Sequence, residues 1–462
     1  MLQLLSSIDN FLWSYPVAGL LLLTGIYYTA GLKFPQIRHF KRLLPVVLKG
    51  QKTEDGAVSG FAAFCATVGG QVGTGSLVGV ASAIAAGGPG AMFWMWLTAL
   101  LGMAISFGEA SLGQFFHLKS SDGNYYGGAP YYMKNGLHSK VLSTLYAVTI
   151  LFSAGFCIAM IQNNSIASAV VEIVAVPPIV PGIIVGLIAA LIVMGGVKRI
   201  TDTASAIVPF MAGAYIIITL IIIALNIQAV PPMLINIFKA AFTGQAAAGG
   251  AVGYTVQQAF RNGVARGLFS NDAGNGGAAS MHASAVVRHP GDQGLSAMLG
   301  TFITTIIICS CTGFAILLTG AVDSGKDGIN LVQAAFSSTL GIAGKWIVLI
   351  AMILFGFTTL IADVFYGEAS LRFLVKRNTE QVVKVYKVLA ILVIILGSVL
   401  SLPLLWTFVD LCAAWLVFFN VIPLVRLFRY VKYVMADYDR QLAERKEPQW
   451  AGTEEAMKAV NK

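Results

Sequence analysis

Charge is what this sequence has least of. Asp, Glu, Lys and Arg make up 11% of 462 residues, against about 25% in a soluble domain. With 57% of the chain hydrophobic, too few polar side chains remain to cover a water-facing surface. Cysteine is scarce too: the five residues Cys65, Cys157, Cys309, Cys311 and Cys412 all fall in apolar runs. Cys309 and Cys311 point about 200° apart on a helix and cannot pair, which excludes a disulfide framework there. The five histidines (39, 117, 138, 282 and 289) show no metal-ligand spacing and read as exposed loop residues. Low-complexity linkers and a second soluble domain are missing as well.

What is there instead is a series of apolar runs near the length of a helix crossing roughly 30 Å of hydrocarbon. They lack the two-residue alternation of a membrane barrel. The expectation is therefore an all-α polytopic membrane protein with 11 spans, at 14–32, 58–86, 90–116, 141–173, 178–197, 203–226, 240–262, 293–321, 342–371, 381–401 and 404–428. Asp9 is the only charge before the first run, so that run reads as a retained helix rather than a cleaved signal.

The net charge of +9 follows the same pattern. With the N-terminus outside, 27 of the 30 Lys and Arg fall on the cytoplasmic side, all but Lys239, Lys326 and Lys345. That is the positive-inside bias, and it accounts for the basic pI without a nucleic-acid partner. The expected address is the cell membrane, N-terminus out and C-terminus cytoplasmic. Three regions follow: 1–57, an N-terminal helix with a basic amphipathic stretch lying on lipid; 58–428, a core of ten helices; and 429–462, a solvated tail with a helix at 436–446.

Glycine is concentrated twice. Gly69, Gly70, Gly73, Gly75 and Gly79 lie in the first of the ten core helices. Gly244, Gly249, Gly250 and Gly253, followed by Gly263 to Gly277, lie around the sixth. Matching positions in two halves predict a 5+5 inverted repeat whose paired broken helices build a site at the membrane midplane. Glycine lets the backbone leave the helix, and the freed N–H and C=O groups become ligands. Close packing through small residues is the plainer explanation of a single cluster. At Gly69-Gly70-Gln71-Val72-Gly73-Thr74-Gly75-Ser76 the exposed start of a half-helix suits a carboxylate. Gly73 to Gly79 is neither a dinucleotide fingerprint, having no preceding strand, nor a P-loop, having no Lys. Ser76 lacks a mid-membrane His to activate it, so an intramembrane enzyme is not assembled.

Ionisable residues inside the spans are costly and each needs a reason. Glu109 reads as paired with a cytoplasmic cation, Glu368 as a surface pair with Arg372, Asp363 as facing the solute path, and Asp410 as an anchor or a gate. Thr358 and Thr359 offer hydroxyl oxygens to Na+, unless they only bond back to the preceding turn. Gln162 and Asn164 are polar enough to touch solute or to tie helices together. Phe93, Trp94 and Trp96 read as an interfacial belt.

The block Gly87-Gly88-Pro89-Gly90-Ala91-Met92-Phe93-Trp94-Met95-Trp96 resembles the signature of the alanine/glycine:cation symporter family. So do Asp122 to Tyr132, Arg266 to Gly274, His289-Pro290 with Gln293-Gly294, and Tyr366-Gly367-Glu368. The resemblance spans the core and implies a leucine-transporter-like fold with one extra helix. It implies symport of a small neutral amino acid with Na+ or H+ and no enzymatic cofactor. Substrate would meet Gln71, Gly73, Thr74, Gly75 and Ser76, with Gln162, Asn164 and Asp363 along the path. Its amino group would meet carbonyls around Gly249, Gly250 and Gly253. Na+ would sit among Gly70, Gly73, Thr358 and Thr359. Three positions depart from the family pattern: Ser76 for Asn, Thr304 for Asp, and Asp363 for Trp or Asn. These raise an alternative, a larger or more polar substrate such as glutamine. A channel would need no paired breaks.

Overall fold

The computed structural model describes residues 2–49, 57–120, 123–243 and 255–461. The long apolar runs among the described residues become helices because lipid offers no partner to backbone N–H and C=O groups, so they must be satisfied within the segment. The order begins with α1 (Ser7–Gly31), the short α2 (Phe40–Leu48) and β1 (Val58–Ser59). A bent pair follows, α3 (Gly60–Gln71) and α4 (Gly75–Gly87), turning by 45° at its break. Then come α5 (Gly90–Phe115), the hairpin of β2 (Leu118–Lys119) and β3 (Tyr125–Tyr126), and α6 (Ala129–Asn135). The first half closes with α7 (Lys140–Val171), α8 (Ile179–Val193) and α9 (Gly196–Leu225).

The second half runs α10 (Val230–Thr243), α11 (Val256–Asn271), α12 (Ala278–Ala283) and β4 (Ala285–Val286). It continues with α13 (Pro290–Leu318), α14 (Gly328–Leu340), α15 (Ile342–Leu374) and α16 (Thr379–Gly397). The chain ends with α17 (Leu402–Arg426), α18 (Phe428–Ala443) and α19 (Thr453–Asn461). Seven of the described helices are long and apolar enough to cross a membrane, and the bent pair makes an eighth. Of the other expected spans, 178–197 and 381–401 correspond to α8 and α16, which are shorter or more polar. The multi-pass character also shows on the outer faces. Leu187, Leu191, Phe210 and Ile217 are exposed and apolar, as lipid-facing positions are.

The second break lies elsewhere than expected. The predicted span at 240–262 takes in the end of α10 and the start of α11; residues 244–254 between them, with Gly244, Gly249, Gly250 and Gly253, fall outside the described residues. The interruption is Asp272 to Gly277, between α11 and α12. Gln257, Gln258, Arg261, Asn262 and Arg266 make α11 polar, which is why hydropathy slid the span toward the N-terminus. Arg261 and Arg266 are consequently not loop charges. Arg261 pairs with Asp9 at 2.6 Å and Arg266 with Asp410 at 2.7 Å, at the end of the bundle where α1 begins.

β1 pairs in parallel with β4, Val58 opposite Ala285 and Ser59 opposite Val286. This clasp sets the start of the first broken helix beside the end of the second, so the two broken helices run antiparallel. The tail is docked rather than free: α18 buries Tyr430, Val431, Val434, Met435 and Tyr438 against the bundle. Its helix begins at Phe428 because the apolar positions recur at helical spacing from there. His39, His282 and His289 are buried, not exposed. All five cysteines are free.

Candidate functional site: two broken helices facing each other

At the first break, Val72 leaves helical geometry (φ −86°, ψ 68°) and its N–H still reaches the Val68 carbonyl at 2.7 Å. The chain then re-enters through a wider π-helical turn, Gly75–Gly79, a geometry often found at functional sites. Thr74 N–H donates to Gln162 Oε1 at 3.0 Å across from α7. Gln71 Nε2 donates to the Asn271 carbonyl at 2.7 Å, joining the two breaks. Ser76 Oγ lies 3.1 Å from Ser270 Oγ, and its carbonyl accepts from Thr312 Oγ1 at 2.8 Å.

Glycine is required here by proximity. A Cβ on Gly73 would overlap Thr359 Oγ1 and lie 2.7 Å from Gln162 Oε1. On Gly70 it would lie 2.9 Å from the Tyr366 hydroxyl. The helices can therefore approach closely only while these positions carry no side chain.

The Gly69 carbonyl, one turn before the break, accepts from Thr359 Oγ1 at 2.7 Å and from Thr358 Oγ1 at 3.1 Å. Both hydroxyls also reach the Phe355 carbonyl at 3.0 Å, so back-bonding and contact with the broken helix coexist. Each hydroxyl has one proton, shared between the Gly69 and Phe355 carbonyls; turned fully to Phe355, it would leave the Thr358, Thr359 and Gly69 oxygens as an all-oxygen group for a hard ion.

The second break is held by side chains. Asp272, in left-handed geometry at φ 61°, accepts from Ala278 N–H at 2.6 Å through Oδ2 and so bridges the gap. Asn271 and Asn275 cap Ala273 and Gly277 at 3.0 and 2.8 Å. Glu109 Oε1 accepts from Gly274 N–H at 3.1 Å and from Asn420 Nδ2 at 2.6 Å, while Tyr146 donates to the Asn275 carbonyl at 2.6 Å. Glu109 thus supports the unwound backbone instead of pairing with a cation. Backbone groups freed at membrane depth must find such partners.

Between the breaks is a cavity of about 20 Å³ lined by Gly70, Gln71, Gly73, Gly75, Ile158, Gln162, Phe269, Asp272, Asn275, Thr359, Asp363, Tyr366 and Ala413. It holds little more than a water, which takes about 10–15 Å³ on the same measure. Asp363 is 3% exposed, and its Oδ2 has no hydrogen-bond partner among the described residues. Above the cavity, Phe269 packs edge-on to Trp406 at 4.8 Å, and the Arg266 guanidinium lies 4.0 Å over the Trp406 ring.

Of the residues expected at a site, Gly70, Gln71, Gly73, Gly75, Gln162, Thr359 and Asp363 line this cavity. Thr74, Ser76 and Thr358 are buried but are not part of its lining. Asn164 faces α16 and donates to the Gly397 and Leu400 carbonyls at 2.9 and 2.8 Å, a tie between helices. Thr304 is buried and bonds back to Thr301. Glu368 is in no surface pair: it is 1% exposed and bound to Arg372 at 2.9 Å and Lys387 at 2.8 Å. Trp96 donates to Ser310 at 2.8 Å and Trp94 packs on Phe242 and Phe260, so this row is a packing surface. Sequence reasoning missed Asp272, Asn275 and Tyr366 as lining residues; the run Asn271-Asp272-Ala273-Gly274-Asn275-Gly276-Gly277 was the signal for the first two and Tyr366-Gly367-Glu368 for the third.

A helical bundle with two antiparallel broken helices enclosing a small polar cavity is the architecture of a membrane carrier. The fold is that of MhsT, solved in complex with L-phenylalanine, with a TM-score of 0.56 at 16% identity over 88% of this chain and 96% of that one. The chain belongs to the sodium:alanine symporter family, whose model matches residues 1–451. It is 38% identical to the probable sodium/glutamine symporter of Bacillus subtilis, over 95% of this chain and 91% of that protein. It is 34% identical to the sodium/alanine symporter of Methanococcus maripaludis, over 92% and 94%. It is thus a transporter of a Na+-coupled amino-acid symporter family and not an enzyme.

Proposed function

We propose that the chain imports a small neutral amino acid, alanine or glycine, driven by Na+ and working by alternating access around the paired breaks. The observation that carries this reading is the meeting of Thr358 and Thr359 with the Gly69 carbonyl, one turn before Thr74 N–H reaches Gln162. Na+ binds on the hydroxyl side, and the substrate carboxylate binds at Gly73 to Ser76, where the following half-helix presents N–H groups. The ammonium group faces the Asp272 to Gly277 break and Asp363. Ion and solute stabilise the same closed arrangement, and that shared preference is the coupling.

The clasped antiparallel pair supports reading the ten core helices as five-plus-five inverted repeats, with α1 as the extra helix. The Arg266–Asp410 pair and the Trp406–Phe269 stack form one gate, and the β1–β4 clasp forms the other. The N-terminus lies outside and the C-terminus in the cytoplasm of the cell membrane, on the positive-inside argument, with Arg261 and Arg266, paired where α1 begins, joining Lys239, Lys326 and Lys345 on the outer side. Glutamine is the second reading. The amide and carboxylate lining of Gln162, Asn275 and Asp363 favours it, as does the relative named for that solute.

The test is uptake of radiolabelled alanine into proteoliposomes under an inward Na+ gradient, with glycine and glutamine as competitors. Competition by glycine at concentrations near those of alanine supports the small-substrate reading. Preferential competition by glutamine moves the assignment to the second. No accumulation of any of the three by folded protein overturns both.

A further inference from the structure

Away from the transport site, at the end of the bundle where α18 docks, lies a cavity of about 450 Å³. Its walls come from three separate elements: α2 with the residue after it, the approach to α13 with its first turn, and the end of α18 with the residues that follow. Five cationic side chains line it, Arg42, Lys49, Arg288, Arg445 and Lys446, against two carboxylates, Asp292 and Glu447. Glu447 pairs with Arg288 and, at 3.7 Å, with Lys49. Asp292 accepts from the Tyr438 hydroxyl at 2.9 Å, and Lys446 turns to Glu444. Arg42 and Arg445 have no carboxylate partner among the described residues. Arg445 is held in left-handed geometry at φ 59°.

We propose that this cavity binds a water-soluble anion carrying two or more phosphoryl groups. Guanidinium groups recognise phosphoryl oxygens through paired hydrogen bonds, and a site lined by several of them concentrates such anions. The choice of a soluble anion over a lipid headgroup rests on α2. Phe40, Leu44 and Leu48 are 49%, 54% and 63% exposed on one face of this helix, the stripe that meets lipid. Arg42, Val46 and Lys49 line the cavity, and at about 100° per residue they lie roughly opposite that stripe. The cavity therefore opens away from the hydrocarbon. An occupant ties α2, which precedes β1, to Arg288, two residues beyond β4. It braces the β1–β4 clasp from outside.

The experiment is isothermal titration of the purified full-length protein in uncharged detergent with pyrophosphate, at constant ionic strength. The expected result is saturable binding to one site, weakened at least tenfold in the Arg42→Gln plus Arg445→Gln double variant, with that variant eluting as the same monodisperse species. Absence of saturable binding overturns the proposal, as does equal affinity in the double variant. Loss of pyrophosphate binding in nanodiscs of phosphatidylglycerol, but not of phosphatidylcholine, assigns the cavity to a lipid headgroup and also overturns it.

Discussion

Arg266 and Asp410 meet as a two-pronged ion pair, Nη1 to Oδ1 and Nη2 to Oδ2 both at 2.7 Å, although 144 positions separate them in the chain. Their side chains are 8% and 5% exposed, and Trp406 lies against the guanidinium on the cavity side. Removing one partner strands a buried charge, at about 3–5 kcal/mol. The Arg266→Gln and Asp410→Asn variants should each lose most alanine uptake. The double variant, with no charge stranded, should recover thermal stability but not transport. Full recovery of transport would make the pair structural rather than a gate.

Thr359→Val keeps the shape of the side chain and removes the hydroxyl that reaches Gly69 at 2.7 Å. The loss, about 1–3 kcal/mol for a buried polar partner left unsatisfied, should raise the Na+ concentration for half-maximal uptake roughly 5- to 150-fold. Maximal uptake at saturating Na+ should change less. An unaltered Na+ dependence removes this hydroxyl from the ion site.

Gly73→Ala places a methyl against Thr359 and 2.7 Å from Gln162 Oε1. Uptake should fall below detection while the protein still elutes as folded. Gly19→Ala, where a Cβ meets nothing within 4 Å, is the control and should transport normally. Normal uptake by the Gly73 variant would mean that the break does not close on this contact.

Asp363→Asn preserves size and removes the carboxylate beside the cavity whose Oδ2 lacks a partner among the described residues. A charged hydrogen bond to the substrate ammonium is worth about 1.5–3 kcal/mol, so alanine affinity should fall about tenfold or more. The pH dependence of uptake should flatten. Unchanged affinity, selectivity and pH profile would remove Asp363 from the pathway.

The docked tail should be pH-sensitive. Burial holds the His289 imidazole below its ordinary pKa, against the opposing pull of Asp437 at 3.1 Å. The folded site therefore prefers the neutral ring, whereas a released tail lets it protonate near the ordinary value of about 6.5. Stability from this group is complete above that value and declines as pH falls below it. Asp439 is half-buried, but His39 and Arg38 outweigh that desolvation and hold it below the usual carboxylate range. Its contribution is lost only at lower pH. The thermal midpoint should drop between pH 7.5 and 5.5, and His289→Gln should shrink that drop.

Helix positions were legible where apolar runs are long and uninterrupted, as in Gly90–Phe115 and Ile342–Leu374. The first break was legible because its glycines stand inside such a run. The second was displaced because α11 trades hydrophobic surface for Arg261 and Arg266, whose partners Asp9 and Asp410 are remote in sequence. The role of Glu109 was invisible for the same reason: it acts on Gly274, 165 positions away. Burial of His289 depends on α18 docking, which hydropathy does not report.

The most direct test of the central claim is the reciprocity of Na+ and alanine binding in purified protein. Calorimetric titration of alanine at increasing Na+, and of Na+ at increasing alanine, should show each raising the affinity of the other by the same factor. Thr359→Val should abolish that factor. Alanine affinity independent of Na+ in the unaltered protein would contradict a shared closed state at the paired breaks.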